Sequence, residues 1–402
     1  MRISTNTLYD QGLSTILRNE AQMLNTQQQV STGKRILTPA DDPVAAAQAL
    51  DVTQADAINT QYGANRSAAT DTLTQAEGSL AQVSNMITNA RTIAVSAGNA
   101  TLANSERANL ATQLSSALSE LLGAANATDG QGHYLFAGYQ SQSQPFASGM
   151  GGVQYNGDDG QRLVQVDSSR QMAVSVSGAD AFTRIPSGNG YFVTSDVAGN
   201  TGSGRINSGS VVDPSNLNGH NYSINFSSGG GATSYDVVDT TTNTTLLSAQ
   251  PYTSGGSIRF DGMDVVVEGA PANGDKFSVS PSKDQSIFKT MQDLINVLQT
   301  PVNTPGDLAR LTNGLRQGLA NLDQAASSML IQRGVIGTKL NEIDALQSAG
   351  SSRSLQYQKT LSRLQNVDLN AAISDLTQQQ LSLQAAQKSF VQVSGLSLFS
   401  YL

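Results

Sequence analysis

Apolar residues recur every seven positions near the start of the chain, with Ile16, Met23, Val30 and Leu37 in one series and Leu13, Leu17 and Leu24 beside it. A second series is Leu73, Leu80 and Ile87, with Val83 at the intermediate position. Such spacing makes a narrow seam on a helix, suited to packing against another long helix. The final part of the chain repeats the theme. Leu308, Leu315, Leu322 and Met329 share the period, as do Ile336 with Ile343 and Tyr357 with Leu364. The clearest series there is Leu369, Leu376, Leu383 and Phe390, with Ile373 at the alternate seam position.

Between these stretches the period changes to two. Leu163 to Val166, Met172 to Val176, Tyr222 to Phe226 and Val265 to Val267 are short β-type runs. Turn clusters at Asn156 to Gly160, Ser228 to Gly231 and Asn273-Gly274-Asp275 separate them. Helix boundaries are legible as well. Gly33 before Lys34 and Arg35 suits a helix C-terminus, where glycine takes the left-handed cap and cations meet the dipole. Asp42-Pro43 suits an N-cap followed by proline at the first helical position. Ser282 with Gln285, and Thr304-Pro305 with Asp307, have the form of capping signals that start further helices.

The pattern is therefore helix, strand, helix, and the fold class expected is α+β multidomain. Long N- and C-terminal helices form a coiled-coil rod, and a β-rich domain is inserted at its far tip. The boundaries expected are 1–45 and 366–402 for the two halves of a terminal coiled-coil domain, 46–130 and 282–365 for the helical rod, and 131–281 for the β-rich insert. A two-helix hairpin made by the chain ends has no closed core. The ends are expected to be disordered in the monomer and to order when neighbouring subunits cover them. The inter-subunit seam is assigned to Ile16, Met23, Val30, Leu369, Ile373, Leu376, Leu383 and Phe390. Gln27, Gln380 and Gln387 fall where the alternating seam asks for an apolar residue, facing either solvent or a hydrated lumen or partner helix. Leu396, Leu398, Phe399 and Leu402 make an apolar cluster at the C-terminus, read as docking onto another subunit.

Composition narrows the class of function. Cysteine and tryptophan are absent, histidine occurs twice, and charged residues make up 13%, against roughly a quarter in an average soluble domain. No disulfide or thiolate metal site can form. The net charge of −8, with no Lys/Arg cluster, argues against nucleic acid or an anionic membrane as partner. No apolar run reaches the roughly 18 residues that mark a transmembrane helix, so no membrane insertion is expected. Met1 to Asn6 lacks the apolar core of a cleavable secretory signal, so export is expected by a route that does not read one.

No enzyme is expected, and no cofactor or metal. His133 and His220 each lack a second histidine at ligand spacing. Thr32-Gly33-Lys34 lacks the upstream glycine of a phosphate-binding loop, and no Gly-x-Ser-x-Gly elbow with triad partners is present. Asn156, Asp158 and Asp159 lack the spacing and final glutamate of an EF-hand and suit an ordinary turn.

Four stretches carry a family resemblance. They are Met1-Arg2-Ile3-Ser4-Thr5; Ser31-Thr32-Gly33-Lys34-Arg35-Ile36 continuing to Pro39-Ala40-Asp41-Asp42-Pro43-Val44; Asp129 to Gly138; and the tail, Leu383 to Gln387 with Leu396 to Leu402. With these the chain resembles the flagellin superfamily and, within it, the hook–filament junction proteins. Asp41-Asp42-Pro43, where filament flagellins tend to have Asp-Asp-Ala, and the ending Leu-Ser-Leu-Phe favour that branch. The resemblance implies export of the unfolded chain by the flagellar type III route, and an export chaperone holding the C-terminal helix. It further implies a ring of self-associated subunits above the first hook–filament junction protein, on which flagellin polymerises, outside the cell. Two rivals are a minor flagellin and a secreted stalked adhesin, the latter lacking any anchor or signal.

Overall fold

The computed structural model describes residues 5–149, 151–229 and 231–395, and these divide into two compact units. Unit 1 comprises Met1–Ala64 with Ala345–Leu402, and unit 2 comprises Asn65–Asp344. The helices are α1 (Thr5–Thr32), α2 (Pro43–Ala97), α3 (Asn104–Ala125), α4 (Ile287–Gln299), α5 (Pro305–Gln365) and α6 (Leu369–Gly395). Leu396, Leu398, Phe399 and Leu402, assigned above to docking, lie outside the described residues.

Several helix ends follow from single residues. Gly33 has φ of +70°, which a residue without Cβ adopts at little cost. The Asp42 carboxylate accepts the Ala45 N–H at 3.0 Å and so caps α2 ahead of Pro43. At the start of α5 the pairing is reciprocal. Asp307 N–H donates to Thr304 Oγ1 at 3.1 Å, and Thr304 N–H donates to the Asp307 carboxylate at 3.0 Å. The expected cap at Ser282 and Gln285 is corrected. Ser286 caps α4, its Oγ accepting from Lys289 N–H. Ser282 instead donates its hydroxyl to the Ser187 carbonyl, and Gln285 pairs with Ile185 as a strand residue.

In unit 1, α1 and α6 run antiparallel, and parts of α2 and α5 lie side by side. Asn59 of α2 donates to the Gly350 carbonyl of α5 at 2.9 Å, and Ser354 donates to Asp56 at 2.9 Å.

In unit 2 the period-seven series become a core. Leu73, Leu80, Val83 and Ile87 are buried, as are Leu315, Leu322, Met329, Ile336 and Ile343. Leu114 and Leu121 of α3 and Leu294, Ile295 and Leu298 of α4 join them. Glu77 and Arg333 pair at 2.7 Å, joining α2 to α5. Two glycines of α5 admit close packing from α4: a Cβ on Gly318 would meet Leu294 Cδ2 at 2.3 Å, and one on Gly314 would meet Val297 Cγ2 at 2.7 Å.

The β part begins with two hairpins, β1 (Phe146–Gly149) with β2 (Gly152–Tyr155), and β3 (Leu163–Asp167) with β4 (Arg170–Ala173). Phe146 and Phe182 pack on Phe288 of α4, with ring centroids 5.2 and 6.1 Å away. The short β5 (Ile185–Pro186) leads to β6 (Phe192–Asp196), β7 (Arg205–Ile206), β8 (Ser210–Val211), β9 (Tyr222–Gly229), β10 (Ala232–Asp239) and β11 (Thr244–Pro251). After these come β12 (Ser257–Phe260), β13 (Met263–Glu268), β14 (Lys276–Pro281) and β15 (Asp284–Gln285). One antiparallel sheet has the order β11-β10-β9-β14-β6, and a second has β12-β13-β7 with β8 also on β13. Alternate residues of both sheets enter one shared core: Ile224, Phe226, Phe277 and Val279 from the first, Ile258, Val265 and Val267 from the second. Buried asparagines of α5 hold this part. Asn313 accepts from Ile206 N–H at 2.9 Å and Asn321 from Gly188 N–H at 2.7 Å.

Candidate assembly surface

Two observations set unit 1 apart. Among its described residues the buried apolar side chains are Ala45, Ala49 and Ala372 alone. Leu13, Leu17, Leu24, Val44, Leu50, Ile58, Leu355, Leu369, Ile373 and Leu381 are all exposed. Aliphatic surface on this scale, with no large apolar residue buried beneath it, is a mark of an interaction surface.

The chain turns between α1 and α2 at a joint built from the residues that carried the resemblance. Val367 N–H donates to the Gly33 carbonyl at 3.0 Å, and Arg35 N–H donates to the Gln365 carbonyl at 2.6 Å. The Arg35 guanidinium reaches both the Leu364 carbonyl, at 3.0 Å, and the Asp42 carboxylate, at 3.2 Å. Asp41 accepts the N–H groups of Thr38 and Leu37. The hydrogen bond from Thr38 holds the Asp41 carboxyl below its usual pKa, and the one from Ala45, with Arg35 alongside, does the same for Asp42. This joint sets the register of the antiparallel pair.

From there the seam runs up both helices. On α1 the partly or fully buried positions include Gly12, Ile16, Asn19, Met23, Thr26 and Val30; on α6 they include Ala372, Leu376, Gln379, Leu383, Ala386 and Phe390. Ile16, Met23, Val30, Leu376, Leu383 and Phe390 thus face each other within one chain. The structure places Leu369 and Ile373 outside that seam, since both are exposed. The alternate position belongs to Ala372, Gln379 and Ala386, one residue earlier than Ile373, Gln380 and Gln387. Gln27, Gln380 and Gln387 are exposed, and Thr26 occupies the seam in place of Gln27. The Gln379 Oε1 is buried with no hydrogen-bond partner among the described residues. It borders a polar cleft of about 360 Å³ lined by Asn19, Gln22, Asp375, Gln378 and Ser382.

The seam gives the hairpin two unlike faces. Each residue turns a helix by about 100°, and in an antiparallel pair the residue after each seam position turns to the same side. That side carries Leu13, Leu17 and Leu24 of α1 with Leu369, Ile373 and Val391 of α6, between 41% and 66% exposed, interspersed with Glu20, Gln27, Thr377, Gln380, Gln384 and Gln387. The residues before each seam position face the other way. They are Gln11, Thr15, Arg18, Gln22, Asn25 and Gln29 on α1, with Ala371, Asp375, Gln378, Ser382, Ala385 and Ser389 on α6, and none is a large apolar residue. Periodicity singled out Ile16, Met23, Val30, Leu376, Leu383 and Phe390 as contacts between subunits, whereas here they lie partly buried on the paired α1 and α6 of one chain, with Leu13, Leu17 and Leu24 on the flank beside them.

Comparisons with known proteins agree with this architecture. Residues 3–141 match the bacterial flagellin N-terminal helical region, and residues 195–281 match the D2-like domain of flagellar hook-associated protein 1. The chain is 31% identical over 403 residues to flagellar hook-associated protein 3 of Salmonella typhimurium, covering 99% of each. It is 30% identical to the protein of that name from Escherichia coli, again covering 99% of each. The crystal structure of flagellar hook associated protein-3 from Legionella pneumophila is similar at a TM-score of 0.75 and 33% identity, covering 78% of this chain and 98% of that one.

Proposed function

The chain belongs to the flagellar hook-associated protein 3 family, and on that premise we propose that it is a structural subunit of the bacterial hook–filament junction. In this reading it assembles outside the cell into a ring above the first junction protein and presents the surface on which flagellin polymerises. Its role in motility is mechanical, with no reaction catalysed.

The observation that carries the reading is the absence of a large buried apolar side chain among the described residues of unit 1, beside a one-sided row of exposed aliphatics. A monomer keeping Leu13, Leu17, Leu24, Leu369 and Ile373 41–56% exposed forgoes roughly half of the ~1.5–3 kcal/mol that full burial of each side chain is worth. Those residues are the proposed inter-subunit contacts. The tail cluster Leu396, Leu398, Phe399 and Leu402 is proposed to dock on a neighbour too. Before export, the same unfinished apolar surface suits a cytoplasmic chaperone, and the unfolded chain suits the flagellar export channel. No helix among the described residues is long and apolar enough to cross a membrane.

Deletion of the gene tests the reading. Hooks should remain while flagellin escapes into the medium unpolymerised. Filaments of altered length on normal junctions would instead make the chain a minor flagellin.

A further inference from the structure

Five asparagines in the chain precede glycine: Asn156, Asn189, Asn218, Asn273 and Asn313. A following glycine leaves the peptide nitrogen open to attack the asparagine carboxamide, so each is a chemical candidate for deamidation. The fold separates them. Gly190 N–H is bonded to the Ser187 carbonyl and Gly274 N–H to the Phe226 carbonyl. Gly314 lies inside helix α5, where its N–H belongs to the helical ladder. Gly157 and Gly219 have no backbone N–H partner among the described residues. A Cβ on Gly157 would run into Tyr155 Oη at 2.5 Å, whereas Gly219, at φ of +74°, has nothing within 4 Å and is exposed to water.

Asn218 has a further feature that Asn156 lacks. Its Oδ1 accepts the His220 N–H at 3.0 Å, an Asx turn that lays the carboxamide over the following peptide. The Tyr222 hydroxyl lies 2.6 Å from the same oxygen and 2.8 Å from Asp261, its one hydrogen shared between them. Asn218 Nδ2 donates to Asp261 at 3.1 Å. Burial, with Asp261 adding to it, holds the Tyr222 phenol above its usual pKa, so it keeps its hydrogen at neutral pH. The His220 N–H therefore meets the oxygen on which negative charge develops when the carboxamide is attacked, and the Tyr222 O–H joins it whenever its hydrogen turns from Asp261 to Asn218.

We propose that Asn218 is a self-modifying site, deamidated by the Gly219 peptide nitrogen with His220 N–H and Tyr222 O–H supporting the carboxamide oxygen. The Gly219 nitrogen gives its proton to water and bonds to Asn218 Cγ. The Cγ–Nδ2 bond breaks, and ammonia leaves after taking a proton from solvent. Water then opens the resulting cyclic imide to aspartate or isoaspartate, with no oxidation or reduction. The product sets a second carboxylate against Asp261 and removes the Nδ2 donor, loosening the turn that leads into β9. On a subunit outside the cell, beyond resynthesis in place, such a change accumulates with age.

The test is peptide mass spectrometry of the purified full-length chain during incubation in warm neutral buffer. Asn218 should convert roughly tenfold faster than Asn156, and Tyr222→Phe should slow Asn218 alone by about tenfold. In urea the two rates should converge. Equal rates in the folded wild-type chain would overturn the proposal, as would a folded Tyr222→Phe chain that converts at the wild-type rate. The wild-type comparison between folded and urea-treated chain holds even where the variant fails to fold.

Discussion

Gly12 of α1 lies against the ring of Phe390 of α6, so close that a Cβ on Gly12 would meet Phe390 Cδ2 at 2.8 Å. Tyr9 borders the same ring, its centroid 4.9 Å away. A glycine inside a helix lowers its stability by roughly 0.5–1 kcal/mol relative to alanine, and here the missing side chain is the space that admits Phe390. Gly12→Val should force the helices apart at a cost of about 1–3 kcal/mol. The expected result is faster amide exchange along α1 and α6 in the assembled junction, with the β part unchanged, and reduced swimming. Unaltered exchange in both helices would mean that this contact does not hold the pair.

Seam and flank should respond differently to the same chemical change. Leu383→Asp puts a charge between α1 and α6 and should break their pairing as well as block junction formation. Leu17→Asp lies on the exposed flank and should leave the monomer's circular dichroism and exchange unchanged while blocking assembly. Normal swimming in Leu17→Asp would remove that flank from the proposed contacts.

Unit 2 is expected to be ordered without partners. Gly318→Val drives a branched side chain into Leu294, whose Cδ2 lies 2.3 Å from the position of the new Cβ. Overpacking of this kind costs typically 1–3 kcal/mol, measurable as an earlier thermal unfolding transition. Val297 beside Gly314 offers an independent repeat of the measurement.

Acid should weaken the β part at one identifiable residue. Asp239 is 3% exposed. Burial alone raises its pKa, but hydrogen bonds from His220, Thr242 and Thr241 outweigh burial and hold it at about 2. The folded value is thus below the unfolded value of about 3.9. Its stabilising effect is fully present above the unfolded value and is lost as pH falls from there through the folded value. Urea titrations across that range should show the loss, and Asp239→Asn should flatten that part of the acid slope. An unchanged slope in Asp239→Asn would assign the acid sensitivity to other carboxylates.

Much of this architecture can be read from local chemistry. The period of seven in Leu315, Leu322 and Met329, or of two in Tyr222, Ile224 and Phe226, is a property of neighbouring residues. So are the Asp42 and Thr304 caps and the Gly33 turn, because each is completed within a few residues of chain. Failures came where a choice between adjacent residues depended on distant chain. Ser282 and Ser286 both offer a hydroxyl ahead of α4, and the pairing of Gln285 with Ile185 leaves the second as the cap.

The seam shows the same division. Leu376, Leu383 and Phe390 stand out because large apolar side chains are costly to leave in water. Between them a helix can turn either neighbouring residue inward, and Ile373 is the more hydrophobic choice. Ala372 is taken instead, buried while Ile373 is exposed, in the register that the Gly33–Val367 hydrogen bond fixes between α1 and α6. Composition and periodicity thus specify that two helices pair and which stripe of each is apolar. Distances across the pair settle which small residues lie inside, and so which aliphatics remain outside for a neighbour to cover.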